Sequence, residues 1–109
     1  MPSNNYKVIW SPEASIDLDE IIMTIAEEHS NNALSAFERI HKKAKSLSRF
    51  PSKGKIVPEL KEFRILSYLQ VAESPWRIIY RVSEKIVYVN AIIHCKRDIE
   101  LFLLRRLTR

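Results

Sequence analysis

The sequence predicts an α+β domain in which two helices pack on one face of a mostly antiparallel β-sheet. A β-rich segment precedes two segments with the apolar spacing of helices, and three strand-like segments with short connections follow. The length of 109 residues is that of one domain, so we expect residues 1–109 to fold as a single unit. The predicted order is strand, helix, helix, strand, strand, strand and a C-terminal helix.

The N-terminal half predicts one strand and a helical hairpin. Residues 6–10, YKVIW, are rich in β-forming residues and predict the first strand. Ser11 and Pro12 are favoured at the N-cap and at the first position of a helix, so the first helix is expected to begin there. A second helix is expected from about Asn32, after the break HSNN. The short connection predicts that the two helices are antiparallel.

The C-terminal half predicts three strands and a helix. Residues 50–60 contain two prolines and the only glycine, Gly54, and predict a loop. Strands are expected at 63–71, 76–82 and 85–94, with connections short enough for antiparallel hairpins. The segment RDIELFLLRRL predicts a final helix with Asp98 as its N-cap.

Successive side chains of a strand point to opposite faces of a sheet, so the strand segments divide into two sets. The more apolar set is expected to pack under the helices: Phe63, Ile65, Leu69, Val71, Trp76, Ile78, Tyr80, Val82, Val87, Val89, Ala91 and Ile93. The other set is expected on a face that meets water: Arg64, Leu66, Tyr68, Gln70, Arg77, Arg81, Tyr88, Asn90, Ile92 and His94.

The predicted open face gathers basic side chains. It carries Arg64, Arg77, Arg81 and His94, and the loop leading into it carries Lys53, Lys55 and Glu59. Surface arginines are common on solvated sheet faces, and taken alone they favour neither solubility nor function. Because clustered like charges repel one another, such a patch is stable mainly when an anion or an acidic partner meets it.

Composition narrows the classes of function. Lysine and arginine number 18 against 13 acids, with a pI near 9.5, which favours an anionic partner. The single cysteine, Cys95, excludes an internal disulfide and fits a reducing compartment. No apolar run reaches the ~20 residues of a membrane span, and no signal peptide is evident, so we expect a cytoplasmic protein without a membrane partner. The few scattered histidines lack metal-ligand spacing, and we expect no cofactor.

Five segments, in this order, resemble the RelE/ParE superfamily of toxins from type II toxin–antitoxin systems: YKVIWSPEASIDLDEI, FPSKGKIVPEL, FRIL, WRIIYRV and VNAIIHCKRDI. The resemblance covers nearly the whole chain and implies the element order predicted above. It implies a toxin, as in plasmid stabilisation systems, that is neutralised by direct binding of a cognate antitoxin. The toxin-binding segment of such an antitoxin is often flexible and wraps around the toxin.

The resemblance leaves the target open. The closing stretch, with a histidine, a basic residue, an aspartate and a helix that ends in basic residues, is more similar to the ParE branch, whose members inhibit DNA gyrase. The central arginines and Glu59 are also similar to the RelE branch, whose members cut mRNA on the ribosome. We expect gyrase inhibition by a slight preference. The alternatives are a ribosome-dependent mRNA endoribonuclease and a non-toxic basic binding module.

The ribonuclease alternative implies roles for the residues of the open face, without a metal. Arg77 would contact the phosphorane through its planar guanidinium, and Arg64 and Arg81 would position the RNA backbone. Glu59 and His94 would serve as base and acid.

Five further residues are candidates for binding: Lys53, Lys55, Arg97, Tyr68 and Tyr88. The two tyrosines would stack on bases if the open face binds RNA. Packing across the strands is an equally good interpretation of them.

Overall fold

The structure is a computed structural model that describes residues 5–28, 30–97 and 99–107. Over these residues the chain forms β1 (Lys7–Trp10), α1 (Pro12–Glu28), α2 (Ser30–Ser46), β2 (Lys55–Ile56), α3 (Pro58–Lys61), β3 (Tyr68–Glu73), β4 (Trp76–Ser83), β5 (Ile86–His94) and α4 (Ile99–Leu107). The strands form one sheet in the order β1–β5–β4–β3–β2. β1 pairs in parallel with β5, and the other neighbouring pairs are antiparallel. The predicted α+β class is confirmed.

The helical hairpin begins where the sequence predicted. Pro12 is the first residue of α1, and the Ser11 hydroxyl oxygen accepts a hydrogen bond from the Ala14 amide at 3.0 Å, the contact of an N-cap. α2 begins at Ser30, slightly before the predicted Asn32. None of the described helices is both long and apolar enough to cross a membrane.

One face of the sheet packs against α1 and α2, and we call it the hairpin face. Its buried core comes from both helices, the turn after α2 and three strands: Ala14, Leu18, Ala36, Ile40, Ala44, Leu47, Val71, Trp76, Ile78, Tyr80, Val87, Val89 and Ile92. Burial of one large aliphatic side chain stabilises a fold by about 1.5–3 kcal/mol. This cluster therefore fixes the hairpin on the sheet.

The opposite face, which we call the α4 face, is also covered. Ile79 and Ile93 of the sheet lie there in a second buried cluster with Leu60 of α3 and Leu103 of α4. The prediction that this face meets water is wrong at its centre, because α3 and α4 bring their own apolar side chains across it. The predicted N-cap of the last helix, Asp98, lies outside the described residues.

β5 contains a β-bulge at Asn90. Ile79 on β4 lies opposite Ala91, whereas the next residue, Tyr80, lies opposite Val89, so Asn90 has no counterpart on β4. A bulge inserts one extra residue into one strand and interrupts the alternation of its side chains. The sequence-based alternation therefore holds on β5 only up to this position.

Beyond the bulge, each side chain of β5 points to the face opposite to the one that the sequence alternation predicted. Val89 faces the hairpin as predicted, but beyond the bulge Ala91 and Ile93 belong to the cluster on the α4 face. Ile92 packs in the hairpin core, and His94 lies opposite Trp76, which belongs to that core. The predicted faces of Ala91, Ile92, Ile93 and His94 are wrong for this reason.

Side chains from the N-terminal and C-terminal parts of the chain form hydrogen bonds with the backbone at the bulge. The Asn90 carbonyl accepts hydrogen bonds from Arg106 Nη1 at 3.2 Å and from the Ser11 hydroxyl at 3.4 Å. Asp17 Oδ2 accepts the Ile92 amide at 3.0 Å. Backbone groups at and just beyond the bulge thus have side-chain partners on α4, on α1 and at its N-cap.

The segment before β3 contains more secondary structure than the sequence predicted. β3 itself begins later in the chain than predicted. Residues 50–60, predicted as a loop, include the short strand β2 and the single-turn helix α3. The strand predicted at 63–71 begins only at Tyr68, because residues 62–64 form a turn that ends α3. Arg64 in that turn has a φ of 61°, which a strand does not allow.

Candidate functional site

Arg77 is the centre of a polar network on the α4 face. Its guanidinium forms a two-point ion pair with Glu59, with Nη2 2.8 Å from Oε2 and Nη1 3.2 Å from Oε1. Nη1 also donates to Gln70 Oε1 at 2.7 Å. Side-chain exposure is only 14% for Arg77 and 29% for Glu59, so the pair is largely shielded from water. The network ties α3 to strands β3 and β4.

The environment of Glu59 favours its ionised form. Burial raises the pKa of the carboxyl, but the hydrogen bonds from Arg77 and from its own backbone amide, with the charge of Arg77, hold the pKa below its ordinary value of 4.5. A carboxylate held ionised in this way is a weak base, and at neutral pH it has no proton to donate. The arrangement suits charge pairing better than acid–base catalysis.

Arg81 lies between two tyrosines on the same face as Arg77. It is opposite Tyr68 on β3 and Tyr88 on β5, and its guanidinium carbon is 4.4 Å from the centre of the Tyr88 ring. The predicted shared face of Arg77 and Arg81 is confirmed. Tyr88 is engaged by a cation–π contact, and Tyr68 packs against the α4-face cluster, which agrees with cross-strand packing.

Arg64 is not positioned by the sheet. It lies exposed in the turn after α3, where its amide donates to the Lys61 carbonyl at 2.9 Å. The alternation that assigned Arg64 to the arginine face does not apply, because the residue is not in a strand. The prediction of its placement is therefore wrong.

His94 lies on the other side of the sheet from Arg77. It lines a groove of about 410 Å³ between α1 and the end of β5, together with Asp17, Glu20, Ile21, Thr24, Ile25, Pro75, Trp76, Ile92 and Arg97. Its Nδ1 accepts the Lys96 amide at 3.1 Å. The prediction that His94 joins the arginine face is wrong because of the bulge. Glu59 and His94 thus cannot act on one phosphate from these positions.

The remaining predicted binding residues are dispersed. Arg97 stacks on the ring of Phe102 at 4.4 Å, beside the groove that contains His94. Lys55 on β2 is opposite Gln70 at the sheet edge. Lys53 lies instead against α2, in a second cavity described below. Among the described residues, no group of three or more His, Cys, Asp or Glu side chains is placed to hold a metal ion.

Sequence reasoning named Lys53 as a binding residue but did not group it with the cations of α2. Arg39, Lys42, Lys43 and Lys53 line a cavity of about 340 Å³ with Ser46 and Glu73. The sequence signal for the three cations of α2 is their spacing, because residues three and four apart lie on one side of a helix.

The fold and its polar sites define a small basic α+β protein with two helices on one face of a five-stranded sheet. The model of the ParE toxin of the type II toxin–antitoxin system parDE matches residues 8–99. The chain therefore belongs to the ParE toxin family, within the RelE/ParE superfamily that the sequence resembled. No match was found among curated proteins.

Two similar solved structures support the fold. One is a chromosomal ParDE toxin–antitoxin system from P. aeruginosa, with a TM-score of 0.68 and 21% identity, covering 84% of this chain and 98% of that chain. The other is the toxin–antitoxin complex RelBE2 from Mycobacterium tuberculosis, with a TM-score of 0.55 and 20% identity, covering 83% of this chain and 91% of that chain. Identities this low establish a shared architecture only.

Proposed function

We propose that this protein is a toxin that inhibits DNA gyrase and is neutralised by a cognate antitoxin. Its membership of the ParE family supports the toxin class. The two similar structures are toxin–antitoxin systems, which supports an antitoxin as partner. Gyrase acts on DNA in the cytoplasm, so the proposal places the protein there.

One observation favours gyrase over mRNA as the target. Cleavage of RNA through its 2′-hydroxyl needs a base, an acid and a cation around one phosphate. Here the expected cation, Arg77, is bound to the expected carboxylate, Glu59, and the expected imidazole, His94, is on the opposite face. Inhibition of gyrase by binding requires no such constellation.

In this proposal Arg77 and Glu59 hold α3 on the sheet. In the ribonuclease alternative Arg77, Arg64 and Arg81 would bind phosphate, and an opening of the Arg77–Glu59 pair would have to precede cleavage. His94 would then need a catalytic role that is independent of Glu59. The two proposals therefore differ in what Glu59 must do.

Pulse-labelling after induced expression separates the alternatives. Gyrase inhibition predicts that DNA synthesis falls first and that the DNA-damage response is induced. An early fall in protein synthesis with cut mRNA would instead indicate a ribonuclease, and normal growth would indicate a non-toxic binding module. Co-expression of the small reading frame adjacent to the gene should restore growth, and failure of every adjacent frame to do so would contradict the antitoxin.

A further inference from the structure

Within the part of the chain that the structure describes, α2 and the loop after it carry a cluster of positive charges that exceeds its acidic partners. Arg39, Lys42 and Lys43 of α2 and Lys53 of the following loop line one cavity of about 340 Å³. Ser46 and Glu73 complete the lining, so four cations meet one carboxylate. We call this cavity the α2 cleft.

One cation and the carboxylate neutralise each other. Arg39 Nη2 lies 3.0 Å from Glu73 Oε2 and donates to the Ser74 carbonyl at 2.6 Å. Lys42, Lys43 and Lys53 form no ion pair with any other residue that the structure describes. Three positive charges thus share one cleft without a counter-ion from the described part of the chain, and such clusters raise the local concentration of anions.

We propose that the α2 cleft binds the phosphate backbone of duplex DNA. No described residue of its lining is aromatic or aliphatic. A protein–protein interface has an apolar core with aromatic anchors, whereas a DNA interface is more polar and much more basic. Single-stranded nucleic acid is held by aromatic stacking, which this lining does not offer. Lysine contacts to phosphate carry no sequence information, so the binding is sequence-independent.

The charge of the neighbouring helix orients the ligand. α1 carries six acids and no basic residue, in the sequence PEASIDLDEIIMTIAEE. A polyanion is repelled from α1 and attracted to the cleft on α2. This inference does not depend on gyrase as the target, since the contact is made by the toxin itself.

The test is the salt dependence of binding of the full-length protein to a mixed-sequence 20-base-pair duplex, measured by fluorescence anisotropy. Each neutralised phosphate contributes a slope of about −0.9 to log K against log salt. Three lysine contacts therefore predict a slope of roughly −2.7, which is a roughly 40-fold loss of affinity between 50 and 200 mM salt. The triple variant Lys42→Gln, Lys43→Gln, Lys53→Gln should lose most of this slope.

The control variant is Lys7→Gln, Lys61→Gln, Lys85→Gln, which removes the same charge at positions outside the cleft. It should retain the slope, and both variants should unfold at the wild-type temperature. An equal loss in the control would overturn the proposal, because net charge alone would explain binding. Absence of wild-type binding would overturn it too, as would tighter binding of a single strand or of polyglutamate than of the duplex.

Discussion

Asp17 and Arg106 form a two-point ion pair that joins α1 to α4. Nη1 of Arg106 is 3.0 Å from Oδ2 of Asp17, and Nη2 is 3.1 Å from Oδ1. Side-chain exposure is 19% for Arg106 and 12% for Asp17. Because Asp17 also accepts the Ile92 amide, one carboxylate connects the last helix, the first helix and the bulged strand.

Loss of this pair should destabilise the fold. We expect Arg106→Leu to lower the free energy of unfolding by roughly 3 kcal/mol, because it leaves a shielded carboxylate without its cation. Urea denaturation monitored by circular dichroism measures the change. Asp19→Asn, which alters an exposed acid on the same helix, is the control and should have little effect. Equal stability of Arg106→Leu and the wild type would show that the pair contributes nothing.

Gly54 is required by a close approach of the chain to Tyr80. Its amide donates to Tyr80 Oη at 2.9 Å, and that hydroxyl donates to the Pro51 carbonyl at 2.8 Å. A Cβ at this position would lie 2.6 Å from both Tyr80 Oη and the Gln70 carbonyl oxygen. We expect Gly54→Ala to destabilise the fold by about 1–3 kcal/mol through overpacking.

Thermal unfolding of Gly54→Ala checks this expectation. Ser52→Ala, at an exposed position in the same loop, serves as the control. A Gly54→Ala variant with an unchanged or higher midpoint would mean that the loop moves away from Tyr80 without cost. Tyr80→Phe tests the contact itself: Gly54→Ala should cost less in the Tyr80→Phe background than in the wild type, because the missing hydroxyl removes one clash.

The Arg77–Glu59 pair should make stability depend on pH. The pKa of Glu59 is lower in the folded chain than its ordinary value of 4.5, so ionised Glu59 stabilises the fold above that value. The contribution is lost as the pH falls through the folded-state pKa. We expect wild type and Glu59→Gln to differ most near neutrality and to converge in acid. Chemical denaturation at several pH values measures this difference, and a gap that is constant with pH would contradict it.

His94 should be dispensable for growth arrest. It lies on the face away from Arg77, and gyrase inhibition requires no proton transfer from the toxin. We therefore expect His94→Gln to arrest growth as the wild type does, at matched expression levels. If His94 were a general acid or base, the same change would reduce the reaction by on the order of 100-fold or more. A dose–response of growth against inducer distinguishes the two results.

The sequence predicted the order of all elements except β2 and α3, the N-cap at Ser11 and the shared face of Arg77 and Arg81, because these depend on local spacing and on capping chemistry. It did not predict the bulge at Asn90, since one unpaired residue leaves no trace in an apolar run. That single residue moved His94 away from the predicted site. The Arg77–Glu59 pair also escaped prediction, because the sequence gives no indication of how α3 docks on the sheet.

The assay that tests gyrase inhibition most directly combines purified gyrase, supercoiled plasmid, ATP and the toxin. We predict that the toxin converts plasmid into linear DNA trapped on gyrase after detergent and protease treatment, and that purified antitoxin added first prevents this. The account would be contradicted if a large excess of folded toxin left supercoiling unchanged and produced no linear DNA, while the same toxin cleaved mRNA on translating ribosomes.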